Sequence, residues 1–491
     1  MEVKQLKHKA INGVIWTSIQ RFMSIFIQFI SNIILARLLT PDDYGCIGML
    51  AIFMLLSAAI IDGGFSSALI QKKRPTQEDY STIFFWNLGL SIVIYLVLYT
   101  AAPFIAGFYH MDFLCPVLRV QGVVLIINAL QSVQVNQLNK QFKFKKISIV
   151  TLCSSVVSIS TTIVMAYNGC GVWSLVVQNL LMSAIPTLIY WLTNNWKPMF
   201  VFSTSSFKEL FKFGFFMFLT SLISTFVTNI QGLLIGRFYN ASTMGFYSKA
   251  HNTERLASTS ISQVISQVSY PLYAELQDNK NDLIKTIRKL TLSVSYVTFP
   301  LMFLLILLAK PLFIFLYTEK WLEAVPFFQI LCFAGLAICL LAINSQSIAA
   351  IGKSKEMFIW SLIKHSVGVL FIIAGFYLGG IKGLLLGMVT KSWFLYFINA
   401  SLVSYFIGYK LKNQLKDIFP ILCMSVAAFG LSFMSSHFLG GYLYLDAALR
   451  LIVFLAIYMG CSIFLKIEAY GLFKDLALPI INKIKKKLLN K

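Results

Sequence analysis

Long apolar stretches recur along the whole sequence, with short polar gaps between them. About 20 apolar residues in a helix cross the hydrocarbon core of a bilayer, and lipid admits only folds that satisfy their own backbone hydrogen bonds. Apolar residues make up 58% of the 491-residue chain and charged residues only 12%. The sequence therefore predicts an all-α polytopic membrane protein. We interpret the first stretch as a retained helix, because it is too long for the apolar part of a signal peptide.

Dividing the chain at its polar gaps predicts about fourteen transmembrane helices. They lie near residues 11–36, 45–70, 80–108, 115–138, 147–167, 172–192, 209–236, 246–274, 289–316, 322–348, 356–376, 382–407, 417–438 and 447–466. Capping boxes, in which a hydroxyl caps an amide three residues on, predict several of the helix starts. They are Thr40–Asp43, Thr76–Asp79 and Ser206–Glu209.

The 41 Lys and Arg residues are concentrated in alternate loops, for example QKKRPTQED, NKQFKFKK and GKSKE. The intervening loops hold Arg37, Arg237, Lys320 and Lys382. Cytoplasmic loops carry such an excess of basic residues, so both termini are predicted to be cytoplasmic. The net charge of +22 then indicates topology and attraction to anionic membrane lipids, and it does not indicate a nucleic-acid partner.

An internal repeat organises the chain. ILARLLTPDDYGC (34–46) and LIGRFYNASTMGF (234–246) align without a gap at an offset of 200, matching Arg37 with Arg237 and Gly45 with Gly245. Each copy ends the first helix of a six-helix block, which predicts two lobes related by a parallel repeat around a central cavity. We expect an N-lobe (1–200), a C-lobe (201–410), two extra helices (411–466) and a basic amphipathic cytoplasmic tail (467–491) with Ile480, Ile481, Ile484 and Leu488 on one face.

Charged residues inside membrane spans are costly and indicate function. The basic ones are Arg21, Lys249, Arg255, Lys364 and Lys391, with His251 and His365 beside them, and the acidic ones are Asp62 and Glu254. This excess of cations predicts a wet cavity that attracts anions. Structural roles stay open as alternatives for two of these residues. In one, Arg21 forms an ion pair with Asp62, which lies at similar depth; in the other, the side chain of Lys249 extends to the outer interface of the membrane.

Several segments resemble a known family. LARLLTPDDYG, DGGFSSALIQKKRPTQEDYSTIFFWNL, NKQFKFKK, YPLYAELQDN and TEKWLEAVPFFQIL are similar to segments of the Wzx-type polysaccharide exporters, which belong to the multidrug/oligosaccharidyl-lipid/polysaccharide flippase superfamily. The similarity extends over about residues 5–410. It implies two six-helix lobes in a V shape, in a bacterial cytoplasmic (inner) membrane.

The resemblance also implies the activity. The cargo is an undecaprenyl-diphosphate-linked oligosaccharide of O-antigen, capsule or exopolysaccharide, moved to the outer leaflet by alternating access. Arg21, Arg255, Lys364 and Lys391 take the positions of the family's cavity cations, and Lys249 is a further candidate. Coupling to H⁺ or Na⁺ is implied, with Asp62 and Glu254 as candidate carboxylates. A glycan polymerase and glycosyltransferases are expected partners.

Other functions stay as alternatives. A lipid-linked peptidoglycan precursor is chemically close to the expected cargo, so a flippase for that lipid fits nearly as well. A cation or drug antiporter of the same superfamily needs acidic residues, which are scarce here. An enzyme is not predicted: the outer loops are too short for the catalytic loop of a glycan polymerase, and neither a nucleotide-binding motif nor a cofactor or metal motif is present.

Overall fold

The computed structural model describes residues 2–435 and 443–472, and all the regular elements in this part of the chain are helices. These are α1 (Glu2–Leu38), α2 (Pro41–Asp62), α3 (Phe65–Gln71), α4 (Gln77–Phe108), α5 (Leu114–Lys140), α6 (Phe144–Tyr167), α7 (Val172–Thr193), α8 (Thr204–Phe238), α9 (Ala241–Glu275), α10 (Lys280–Leu307), α11 (Ala309–Tyr317), a 3₁₀ turn (Glu319–Trp321), α12 (Ala324–Ala350), α13 (Ser354–Phe406), α14 (Leu411–Met434) and α15 (Leu443–Phe464). The predicted all-α polytopic membrane fold is confirmed.

Twelve helical segments among the described residues are long and apolar enough to cross a membrane. Helix α9 is not one of them, although it has 35 residues, because polar and charged side chains dilute its apolar character. Helix α13 is interrupted by non-helical residues at Gly379 and Gly380, which divide it into two halves. The count of fourteen spans therefore stays a prediction.

Two of the three predicted capping boxes are present, and the third is wrong. Thr40 and Thr76 cap α2 and α4, each with the aspartate three residues later bonding back to the cap. Helix α8 begins earlier than expected, because the hydroxyl of Ser203 accepts the backbone N–H of Ser206 and caps the helix there. Glu209 therefore takes no part in capping α8.

The chain forms two compact units, Met1–Ser248 and Lys249–Lys491. The first holds α1 to α8 and the start of α9. Within it α8 packs against α2, α3 and α4. Gly64 and Gly214 permit a close approach of α8 to the start of α3, since a Cβ on Gly64 would lie 2.1 Å from the carbonyl oxygen of Gly214. The four predicted domain ranges stay a prediction.

The starts of α2 and α9 cross through reciprocal contacts. A Cβ on Gly45 would lie 1.9 Å from the carbonyl oxygen of Ala241, and one on Gly245 would lie 1.9 Å from that of Pro41. Ser242 donates a hydrogen bond to Asp42 over 2.7 Å. Shifting each residue by 200 converts the Gly45–Ala241 contact into the Gly245–Pro41 contact, and Asp42 and Ser242 are themselves 200 apart. The two copies of the repeat therefore meet as a self-complementary pair.

Three charged side chains form a cluster where α3 ends and α4 and α8 begin. Lys72 Nζ lies 3.0 Å from a carboxylate oxygen of Asp79 and 2.9 Å from one of Glu209. Burial lowers the pKa of Lys72, but its bonds to the two carboxylates outweigh this effect and hold the pKa above its ordinary value. The cluster fixes the end of α3 to the starts of α4 and α8.

In the second unit, α10 packs against α12 and α14, and α14 packs against α15. Arg288 ties these helices to the chain that follows them: its Nε lies 3.0 Å from Asp417 Oδ1, and its Nη1 and Nη2 donate to both carboxylate oxygens of Glu468. Bidentate pairs of this kind between arginine and a carboxylate are among the stronger ion pairs in proteins. The predicted apolar face of the tail, residues 480–488, lies outside the described residues.

Candidate functional site

Helix α13 turns back on itself and brings its two halves together. Gly380 has φ = 57°, a conformation that glycine adopts at no steric cost. The halves then touch along glycines: a Cβ on Gly375 would lie 2.3 Å from the carbonyl oxygen of Gly383, and one on Gly387 would lie 2.4 Å from that of Phe371. This close packing places the two predicted lysines of α13 on adjoining half-helices.

Lys364 is buried, with 7% of its surface exposed. Its Nζ donates to Oδ1 of Asn399 on the other half of α13. Asn399 in turn donates to the hydroxyl of Ser345 on α12 over 2.8 Å. A chain of hydrogen bonds therefore holds this ammonium in place. Sequence reasoning missed Asn399, although an amide within so apolar a helix is a usable signal.

Lys391 lies against the first half of α13. Its Cγ, Cδ and Cε would be 3.0–3.1 Å from a Cβ placed on Gly368, so the glycine makes room for the lysine stem. Both Lys391 and Lys364 act electrostatically on His365. The two lysines thus belong to one cluster, which we call the cation cluster: His251, Arg255, Lys364, His365 and Lys391.

Helix α9 supplies the rest of the cation cluster. Arg255 is exposed, and Arg255 and Lys391 are both among the charges near His251. Among the described residues, none of Arg255, Lys364 and Lys391 has a carboxylate within 4.0 Å. Cations gathered without acidic partners repel one another, and a bound anion relieves that repulsion.

Lys249 does not extend to an interface, so that alternative is wrong. The side chain is 2% exposed, and its Nζ lies 4.2 Å from the ring centre of Tyr317 and 5.1 Å from that of Trp321. The rings provide cation–π stabilisation for the ammonium. Lys249 is therefore a packed residue in this structure, whereas Arg255 is exposed.

Glu254 is a buried carboxyl next to Arg255 in sequence. It is 2% exposed, and its Oε1 has no hydrogen-bond partner among the described residues. Gly335 of α12 leaves room for it, since a Cβ there would lie 2.7 Å from Oε1. An unsatisfied buried carboxyl oxygen is costly, which marks Glu254 as a position able to take up a cation or a proton.

Arg21 and Asp62 in the first unit do not form the ion pair that was the structural alternative. Asp62 ends α2, and Gly63 turns the chain into α3, so that Ser66 donates to the carboxylate from four residues on. Asn136 donates to Ser66 over 3.0 Å. Arg21 lies half-buried on α1, next to Gln20, which accepts from Ser148 of α6.

The sequence pattern of the family described as "Polysaccharide biosynthesis protein" matches residues 34–326. This is more than half of the chain, and the chain belongs to that family. The teichuronic acid biosynthesis protein TuaB of Bacillus subtilis is 26% identical over 474 residues, covering 94% of this chain and 95% of TuaB.

Two further relatives have the same character. The lipopolysaccharide biosynthesis protein WzxC of Escherichia coli is 23% identical, covering 82% of each chain. The succinoglycan biosynthesis transport protein ExoT of Rhizobium meliloti is 23% identical, covering 71% of each chain. The resemblance to Wzx-type polysaccharide exporters is confirmed, and the prediction of a transport protein in place of an enzyme agrees with these relatives.

Solved structures share the fold. An inward closed conformation of the lipid II flippase MurJ superposes with a TM-score of 0.72 at 16% identity, covering 93% of this chain and 99% of MurJ. An inward-facing multidrug resistance transporter of the MATE family superposes with a TM-score of 0.61 at 16% identity, covering 81% of this chain and 98% of that one. At such identities the comparison establishes the fold alone.

Proposed function

We propose that this protein is a flippase that moves an undecaprenyl-diphosphate-linked oligosaccharide across the bacterial cytoplasmic membrane. The observation that carries the proposal is the cation cluster. A diphosphate is a compact anion that cannot enter hydrocarbon alone, and ammonium and guanidinium groups replace its lost hydration. The names of TuaB, WzxC and ExoT, which are those of polysaccharide biosynthesis and transport proteins, support a glycan cargo.

The cation cluster suggests how the headgroup is passed along. Arg255 is exposed and makes the first contact, and the headgroup then passes to Lys391 and to the buried Lys364. The hydrogen bond from Lys364 to Asn399 is exchanged for one to a phosphate oxygen when the cargo arrives. Arg21 contributes from the first unit at another stage of the same alternating-access cycle. Lys249 stabilises its surroundings and stays a secondary candidate.

Coupling to H⁺ or Na⁺ is part of the proposal, with Glu254 as the favoured carboxylate. Its unpartnered oxygen is available to a proton or to Na⁺, and the resulting change of charge next to Arg255 in the sequence alters how strongly the guanidinium attracts the cargo. Asp62 is the second candidate, and its bond from Ser66 must first open. Both termini lie in the cytoplasm under this proposal, and a glycan polymerase and glycosyltransferases work beside the protein.

The test uses surface glycan in the host. Arg255→Ala and Lys391→Ala should each abolish glycan display at normal protein levels, because each removes a charge from the cation cluster. Lys382→Ala is the matched control, since this lysine is exposed at the far end of the same half-helix of α13. Normal glycan in both cluster variants would overturn the proposal.

A flippase for a lipid-linked peptidoglycan precursor is the second candidate, because its cargo carries the same diphosphate. Complementation separates the two functions: rescue of a strain that lacks its peptidoglycan precursor flippase would favour the second. A cation or drug antiporter fits less well, because such cargo is repelled by the cation cluster.

A further inference from the structure

The first unit contains a cavity with a mixed polar and apolar lining that the proposed diphosphate chemistry does not use. It has a volume of about 370 Å³ and lies between α3, α5, α6 and α7, within the size range of small-molecule sites. Its polar lining consists of Ser66, Asn128, Gln131, Ser132, Asn136, Thr151 and Ser154. We call it the amide pocket.

The amide pocket has no charged side chain among the described residues of its lining, although Ser66 of that lining donates to Asp62. Every polar side chain in its lining is an uncharged amide or hydroxyl. Gln131 donates to Asn128 over 2.8 Å, which leaves the carbonyl oxygen of Gln131 and the NH₂ group of Asn128 for other partners. A set of neutral donors and acceptors matches a ligand rich in hydroxyl groups.

Part of the lining of the amide pocket is apolar, which is not typical of a continuous channel for water. Met182, Pro186 and Tyr190 line one side. Tyr190 also packs with Leu138 and Val150 in a buried apolar cluster, which lies toward the end of α5, the start of α6 and the end of α7. This cluster interrupts the polar lining at that end. A pocket that combines hydrogen-bonding groups with apolar surface suits a sugar ring, which has hydroxyl edges and C–H faces.

We propose that the amide pocket binds sugar rings of the cargo oligosaccharide, with Asn128 and Gln131 as the main hydrogen-bonding residues. The inference rests on the proposed function and adds a recognition site for the glycan to the site for the diphosphate. Recognition by neutral hydrogen bonds gives the protein a preference for sugar-bearing lipid over the bare carrier.

The test measures the binding of two lipids by the full chain in nanodiscs. One is undecaprenyl diphosphate, and the other is the lipid-linked oligosaccharide extracted from host membranes. The wild type should prefer the second by roughly tenfold or more, since each pair of hydrogen bonds contributes about that factor. The double variant Asn128→Leu/Gln131→Leu should lose most of this preference and keep its affinity for undecaprenyl diphosphate, which also shows that it is folded. Gln178→Leu on α7, outside the pocket lining, is the matched control.

Each outcome decides the question. If the wild type binds both lipids equally, or if the double variant keeps its preference, the amide pocket does not read the glycan. Equal weakening for both lipids in the double variant would indicate a structural role and would also overturn the inference. A wild type that binds neither lipid would instead refute the proposed function, and Arg255→Ala should weaken both lipids alike.

Discussion

Replacing Gly45 or Gly245 by alanine should separate the crossing of α2 and α9. The new Cβ would lie 1.9 Å from a backbone oxygen in either variant, whereas carbon–oxygen contacts are about 3.3 Å or longer, so the helices must move apart by roughly 1.4 Å. Overpacking of this kind costs about 1–3 kcal/mol, and the obstructing atoms here are backbone atoms that cannot rotate away. The shift also strains the bond from Ser242 to Asp42, which contributes about 1 kcal/mol. We expect a loss of about 3 kcal/mol in each variant.

The assay is thermal unfolding of the purified protein in nanodiscs, and the double variant makes it decisive. A single separation of the helices makes room for both Cβ atoms, so Gly45→Ala/Gly245→Ala should cost little more than either single change. Gly89→Ala is the control, because a Cβ there meets nothing within 4 Å. Two single variants as stable as Gly89→Ala, or costs that add fully in the double variant, would refute the reciprocal crossing.

The remaining predictions concern two charged clusters, one around Lys72 and one around Arg288. Asp79→Asn should destabilise the protein by about 3 kcal/mol and Glu209→Gln by less than about 1 kcal/mol, because the carboxylate of Asp79 is 1% exposed and that of Glu209 is 63% exposed. The pKa of Lys72 is raised, so the stability that its two ion pairs contribute is complete below the ordinary pKa of lysine. That stability is lost only as the pH rises through the raised pKa, and the free energy of unfolding should therefore show no loss from this cluster between pH 6 and 9. In Arg288→Lys the lysine cannot bind both carboxylate oxygens of Glu468, so the segment around Glu468 should be held less firmly. Trypsin should then cleave faster after Lys466, and an unchanged cleavage rate would contradict this prediction.

The spacing of the apolar stretches predicted most of the fold, because lipid leaves so few alternatives. The apolar stretches predicted the positions of the helices, and the offset that matches Gly45 with Gly245 reappears as a physical contact between the two copies. The start of α8 was misplaced because Ser203 and Ser206 are both good caps. Only the packing of the loop that precedes them decides between the two: Ser203 N–H bonds to Thr82 of α4.

The site was harder to predict, because depth along a helix does not say which way a side chain points. Arg21 and Asp62 have similar depths, yet the turn at Gly63 gives Asp62 a partner four residues away. Lys249 and Arg255 are both cations on α9, but aromatic rings surround the first and the second is exposed. The polar lining of the amide pocket comes from three separate helices, α3, α5 and α6, and none of its residues stands out in the sequence alone.

The central claim is that the cation cluster carries a lipid-linked glycan across the membrane. Proteoliposomes loaded with the host's lipid-linked oligosaccharide test it directly, with membrane-impermeant periodate added outside to oxidise sugars that reach the outer leaflet. Wild type and Lys382→Ala should expose nearly all of the cargo to oxidation, whereas Arg255→Ala/Lys391→Ala should leave the inner-leaflet fraction protected. Equal exposure by the double variant would contradict the account.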